Sequence, residues 1–149
     1  MRNLLVLILL MSLLISCKKE GRPQREIDED IITQYIADNN LSATPTGSGL
    51  YYVIDEEGSG DQPNSQSTVK VYYKGYLTNG SVFDESEING AELSLNAVIN
   101  GWQEGIPKFK EGGEGLLLIP SELGYGSSGN SGIPSNSVLI FEIRLIEVL

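Results

Sequence analysis

Few side chains in this 149-residue chain are equipped to make or break a bond. Histidine is absent and Cys17 is the single cysteine. That removes imidazole proton transfer, Ser-His and cysteine nucleophiles in the main body of the chain, and Cys/His metal sites. What remains is aromatic and acidic: seven tyrosines, three phenylalanines, one tryptophan and 20 aspartates and glutamates. A phenol donates a hydrogen bond, a carboxylate accepts one, and an indole offers a broad apolar face. Such a set can bind and orient a guest but cannot attack it, so the chemistry is gentle, with neither cofactor nor metal expected. On residue type alone, a loop tyrosine or a post-hairpin aspartate is equally a solvated turn residue, and the large apolar side chains are equally core.

The elements that must position these residues follow from periodicity. Leu50, Tyr52 and Ile54 alternate with Tyr51, Val53 and Asp55, the period of a half-buried strand. A second strand runs from about Thr68 to Leu77, with Val69, Val71, Tyr73 and Leu77 on one face. Asn79-Gly80 supplies two positive-φ positions for a tight hairpin turn back through Val82 and Phe83. After a brief strand at Glu92–Leu95, the residues Val98, Ile99, Trp102 and Ile106 fall at helical spacing, with Asn96 as N-cap. Leu116–Ile119 reads as a buried strand closed by Pro120. The stretch from Gly124 to Asn136 reads as a poorly packed loop suited to recognition, and Leu139, Phe141, Ile143 and Leu145 alternate in a last strand. Antiparallel strands with one amphipathic helix make an α+β domain, a curved sheet with a helix covering one face.

The N-terminal third is organised differently. Arg2, an apolar run from Leu4 to Ile15, and Ser16-Cys17 before Lys18-Lys19-Glu20 have the shape of a signal peptide. The run is shorter than the roughly 20 residues of a membrane span, and Leu14-Ile15-Ser16-Cys17 resembles a bacterial lipobox. The resemblance implies cleavage before Cys17, its lipidation, and anchoring of the chain in the bacterial cell envelope, at the outer membrane, facing the periplasm or the surface. Residues 17–47 read as a tether with a short amphipathic helix, striped by Ile27, Ile31, Ile32, Tyr35 and Ile36 and stopped by Asn39-Asn40. This stripe either docks on its own domain, the favoured reading, or serves a partner. The division expected is therefore 1–16 leader, 17–47 tether and 48–149 domain. With 20 acidic against 10 basic residues, nucleic acid is excluded as a partner.

Taken in order, Val71-Tyr72-Tyr73-Lys74-Gly75, Gly80-Ser81-Val82-Phe83-Asp84, Val98-Ile99-Asn100-Gly101-Trp102, Gly124-Tyr125-Gly126 and Val138-Leu139-Ile140-Phe141-Glu142 resemble the ordered motifs of the FKBP family. The resemblance covers nearly all of the main domain. It implies an antiparallel sheet wrapped around a short helix, with a hydrophobic pocket for a proline side chain of a polypeptide substrate, and rotation of the Xaa-Pro bond as the activity. It further implies that Trp102 is the pocket floor and that Tyr73, Phe83, Val98, Ile99 and Phe141 are its walls. Tyr125 then binds a substrate carbonyl, and Asp84, with Tyr73, stands beside the twisting amide. Ile133 either covers the bound proline or packs inward. FKBP-type macrocyclic inhibitors are candidate ligands of the same pocket. The sequence departs from the family at Ala91, where an aromatic is frequent, and at Asn130, where some relatives carry histidine.

Bond rotation suits this inventory, because it breaks amide resonance, a barrier of about 18–20 kcal/mol, without breaking a bond. No nucleophile is needed. Two rival readings use the same residues: a non-catalytic chaperone or scaffold that holds proline segments, and a structural or glycan-binding surface lipoprotein that uses the Tyr, Asn and Gly of the last loop.

Overall fold

The computed structural model describes residues 21–149; the leader and Cys17 lie outside the described residues. Helix α1 (Gln24–Asp38) comes first. It is followed by strands β1 (Thr44–Pro45), β2 (Tyr51–Glu56), β3 (Thr68–Leu77), β4 (Val82–Glu85) and β5 (Ala91–Ser94), helix α2 (Asn100–Gly105), and strands β6 (Glu114–Ile119) and β7 (Leu139–Val148). The strands pair antiparallel in the order β1-β2-β6-β7-β3-β4, with β5 also on β3. Long β3 thus carries β5 along its first half and β4 along its second.

Alternation sorts the side chains onto two faces, and both are covered. On one face Leu50, Val69, Val71, Leu117, Ile119, Leu139, Phe141, Ile143 and Leu145 pack with Trp102 and Ile106 of the α2 region. On the other, Val53, Leu118, Val138 and Ile140 pack with Ile32 of α1. Burial on both faces explains why β6 reads as a continuous apolar run rather than an alternating one.

Helix α2 lies close to the sheet because Gly101 and Gly105 carry no side chain. A Cβ at Gly101 would stand 2.5 Å from Ile119 Cγ2, and one at Gly105 would stand 2.6 Å from Leu117 Cδ2. The intervening Trp102 is thereby pressed into the core, 4% exposed.

Local details differ from the sequence reading. The β3–β4 turn uses only Gly80 (φ 86°) in the left-handed region, not Asn79. Gly80 N–H donates to the Leu77 carbonyl and Leu77 N–H to that of Ser81, the pattern of a three-residue loop. Asn79 acts through its side chain instead, accepting the Ser81 N–H at 2.9 Å. Asn96 does not cap the helix: it lies inside a 3-10 turn, Leu95–Ala97, where its amide oxygen accepts from Ser94 Oγ, and α2 begins only at Asn100. In α1, Ile32 alone of the five striped residues is fully buried and Ile31 is exposed; the second buried residue is Asp28, one turn before Ile32.

Because Ile32 is wholly buried against the outer face of the sheet, Ile32→Ala should lower the unfolding free energy by about 2–5 kcal/mol. Urea unfolding reads this as a lower midpoint, and an unchanged midpoint would mean that α1 does not dock.

Candidate functional site

A pocket of about 460 Å³ opens between α2 and the inner face of the sheet, lined by Tyr73, Asp84, Leu93, Ala97, Val98, Ile99, Trp102, Tyr125 and Phe141. Its interior is a set of rings packed edge to face. Trp102 meets Tyr73 with centroids 5.0 Å apart at 86° and Phe141 with centroids 5.2 Å apart at 82°. Phe83 meets Phe141 with centroids 5.5 Å apart at 84°. Each such pair adds about 0.5–1.5 kcal/mol beyond simple burial and fixes its rings in orientation. The indole Nε1–H is buried and has no hydrogen-bond partner among the described residues, a cost that burial of the ring offsets.

A register shift in the hairpin places the acid. Gly75 pairs with Asp84 but Tyr76 with Val82, so Phe83 is the extra residue of a bulge. In a regular strand, consecutive side chains point to opposite faces. Here Phe83 packs with the inner core while Asp84, the next residue, also reaches the inner pocket. Gly75 makes room, since a Cβ there would lie 2.6 Å from Phe83 Cε2 and 2.7 Å from Phe141 Cε1.

Asp84 is held by two donors. Tyr73 Oη donates to Oδ2 at 2.9 Å and the Glu85 N–H donates to Oδ1 at 2.9 Å. Burial, then the hydrogen bond to Asp84 and its charge, with a further contribution from Tyr125, push the Tyr73 hydroxyl up from 10.0 to about 12. Tyr73 is therefore a neutral donor throughout the ordinary pH range, and one oxygen of a carboxylate is oriented by it at the mouth of an apolar cavity.

A family model described as FKBP-type peptidyl-prolyl cis-trans isomerase matches residues 60–146. The chain belongs to this family. The FKBP-type peptidyl-prolyl cis-trans isomerase FkpA of Escherichia coli (strain K12) is 46% identical over 105 residues, 69% of this chain and 39% of the relative. The probable FkpA of Neisseria meningitidis serogroup B is 37% identical over 134 residues, 88% and 48% of the two chains. The chain therefore spans less than half the length of these relatives. The crystal structure of E. coli FkpA superposes with a TM-score of 0.71 at 35% identity, covering 84% of this chain and 62% of that one. A peptidyl-prolyl cis-trans isomerase from Pseudomonas syringae pv. tomato gives 0.72 at 27% identity, covering 86% and 97%. The curved antiparallel sheet with its short helix is the fold shared with these structures.

Of the residues singled out from sequence, this FKBP-type fold brings Tyr73, Asp84, Val98, Ile99, Trp102, Tyr125 and Phe141 to one cavity. Phe83 and Ile133 are not among its lining residues. Phe83 supports the wall from behind through Phe141, and Ile133, 6% exposed, packs into the inner core, the second of the two positions open to it from sequence. Leu93 and Ala97 line the pocket without having been singled out; Leu93 lies two residues after Ala91 on the same face of β5, and Ala97 directly precedes Val98-Ile99. Ala91 itself pairs with Val71 and stays outside the lining.

The loop after β6 is not loosely packed. It holds 3-10 turns at Ser121–Leu123 and Gly126–Ser128 and a bridge between Asn130 and Ile133. Asn136 N–H also donates across the loop to the Gly126 carbonyl at 2.8 Å. Backbone and hydroxyl hydrogen bonds supply the order that its few apolar side chains do not.

The raised Tyr73 hydroxyl has a consequence for stability. Below pH 10 folded and unfolded chains both carry the proton; between about 10 and 12 only the unfolded chain releases it, so stability falls as pH rises through that window. Tyr73→Phe should flatten this part of the pH–stability curve in urea unfolding. Some slope will remain from Tyr76, whose hydroxyl is also raised by burial.

Proposed function

We propose that this chain is a peptidyl-prolyl cis-trans isomerase that rotates Xaa-Pro bonds of polypeptides in the pocket floored by Trp102. The observation that carries the proposal is the pairing of a ring-lined, largely apolar cavity with one oriented carboxylate, Asp84, held by Tyr73 at its mouth. In the twisted transition state the amide loses its resonance and its carbonyl and nitrogen no longer share charge, so an apolar cavity disfavours the twisted form less than the planar, well-solvated one. The proline ring packs on Trp102 between Val98, Ile99 and Phe141. Tyr125 donates to a substrate carbonyl, and Asp84 lies against the carbonyl of the twisting amide, its position fixed before substrate arrives. Each tenfold in rate requires about 1.36 kcal/mol of differential stabilisation, within the reach of one or two such contacts. Macrocyclic ligands that mimic the proline segment belong to the same cavity, with Leu93 and Ala97 as their additional contacts.

The proposal extends to place. Residues 1–16 act as a lipoprotein leader, Cys17 carries the lipid, 17–47 tether the chain and 48–149 form the isomerase domain, so that the enzyme assists folding of exported proteins in the bacterial envelope. The short apolar run ending at Ser16-Cys17 supports this.

Protease-coupled or exchange NMR kinetics on Xaa-Pro peptides test the activity. Acceleration is expected, falling about fivefold in Tyr125→Phe, the equivalent of one ordinary hydrogen bond, and more in Asp84→Ala, which also strands the Tyr73 hydroxyl. Peptide binding without acceleration would leave a proline-holding chaperone in its place. Anchoring is tested separately: radiolabelled fatty acid should enter the expressed chain and be lost in Cys17→Ser, and unlabelled wild type would remove the lipoprotein assignment.

A further inference from the structure

Asp28 is fully buried, yet among the described residues no lysine or arginine pairs with it. Its Oδ2 accepts the Ser121 N–H at 2.8 Å and the Ser121 hydroxyl at 2.6 Å, and its Oδ1 accepts from Gln24 Nε2 at 2.7 Å. Burying a carboxylate is expensive even when it is fully hydrogen-bonded, and an apolar pair at this position would hold α1 to the sheet at lower cost. What the carboxylate adds is direction: it grips the first residue of the 3-10 turn Ser121–Leu123. That turn hands on to Tyr125 through Leu123 N–H on the Pro120 carbonyl and Gly124 N–H on the Ser121 carbonyl, both at 3.0 Å.

The other stem of the same loop is also held by α1. Ile32, one turn after Asp28, packs in the cluster that contains Val138, the residue before β7. One helix face therefore holds the near end of the segment that carries Tyr125 by hydrogen bonds and shares an apolar cluster with its far end. The backbone of the segment closes between them, Asn136 N–H on the Gly126 carbonyl.

We propose that Asp28 is a positioning residue for Tyr125, so that the N-terminal helix is part of the working site rather than a spacer ahead of it. The proposal rests on the assignment of Tyr125 as a substrate-binding hydroxyl. Removal of the carboxylate leaves Ser121 N–H and Oγ–H without their acceptor, and the turn that aims Tyr125 relaxes. Asparagine preserves the arrangement: its amide oxygen takes the place of Oδ2, and its NH2 faces a Gln24 amide turned end for end to accept.

The experiment is a double-mutant cycle in the full chain, using isomerase kinetics on an Xaa-Pro peptide with urea unfolding of each variant. Asp28→Ala is expected to lower kcat/KM about fivefold, matching Tyr125→Phe, because both remove the same hydrogen bond to substrate. Asp28→Asn should retain wild-type kcat/KM, and Asp28→Ala/Tyr125→Phe should be no slower than Tyr125→Phe alone. Losses that multiply in the double variant would overturn the proposal, since Asp28 would then act on the fold and not through Tyr125. Wild-type activity in Asp28→Ala would overturn it too. Wild-type activity in Tyr125→Phe would instead remove the role of Tyr125 itself, and with it the proposal. Should Asp28→Ala fail to fold, Ser121→Ala, which deletes only the 2.6 Å bond, enters the same cycle with a smaller loss and the same expected non-additivity.

Discussion

Helix α2 comes this close to the sheet only because Gly101 and Gly105 place no side chain between its backbone and Ile119 and Leu117. The rest of the site depends on this approach. With the backbone of α2 against β6, Trp102 is too near the sheet to lie on the surface and becomes a floor, its ring trapped edge to face between Tyr73 and Phe141. Interiors pack at nearly crystalline density, so a helix displaced by a methyl group would move the indole and with it both rings. Gly75 applies the same constraint from the opposite side, because the rings of Phe83 and Phe141 occupy the space where its side chain would be.

The strands were legible in the sequence because one rule decides them. Period-two alternation in β3 and β7 follows directly from the pleat, and of the residues it assigned inward, Val69, Val71, Leu139, Phe141, Ile143 and Leu145 are buried while Tyr73 and Leu77 are partly buried against the same core. The failures occurred where a side chain's own hydrogen bonding outweighed its backbone propensity. Asn79 was read as a left-handed turn residue but works as a side-chain acceptor; Asn96 was read as a helix cap but accepts from Ser94 inside a separate turn. Helix α1 shows a third kind of failure. Of its apolar stripe, Ile32 is fully buried and Tyr35 and Ile36 pack against the same cluster, but its other fully buried residue is Asp28, and nothing in a hydrophobic period marks a carboxylate as buried.

The site was legible in part for a different reason. Tyr73, Asp84, Trp102 and Tyr125 carry no individual signal, and only the order of the segments around them pointed to one pocket. The device that unites them was hidden: a bulge at Phe83 lets two consecutive residues serve the same face, and a bulge is a property of pairing between strands, which the residues of one strand do not encode. The same holds for Ile133. A lone loop hydrophobe has two places to go, and the bridge from Asn130 to Ile133 that turns it inward forms only once the loop has closed.

In this fold the distinction between core and site is one of degree. Phe141 is 4% exposed and belongs to the main core, yet it lines the pocket; Tyr73 is partly buried and stacks on the same rings while its hydroxyl holds Asp84. A catalyst that breaks no bond gains from its walls only what they keep fixed and dry, so on the proposed reading the rigidity of the core is itself the catalytic resource. Asp84 illustrates the point. As a strand residue with no partner it would be a solvated carboxylate free to turn. With Tyr73 on one oxygen and the Glu85 N–H on the other, its orientation is set by the folded sheet, and the reorganisation that water would require during rotation has already been met in folding. Packing errors in such a protein therefore reach activity before they reach the fold, because a ring tilted by a neighbour's extra methyl still buries its area but no longer presents the same wall.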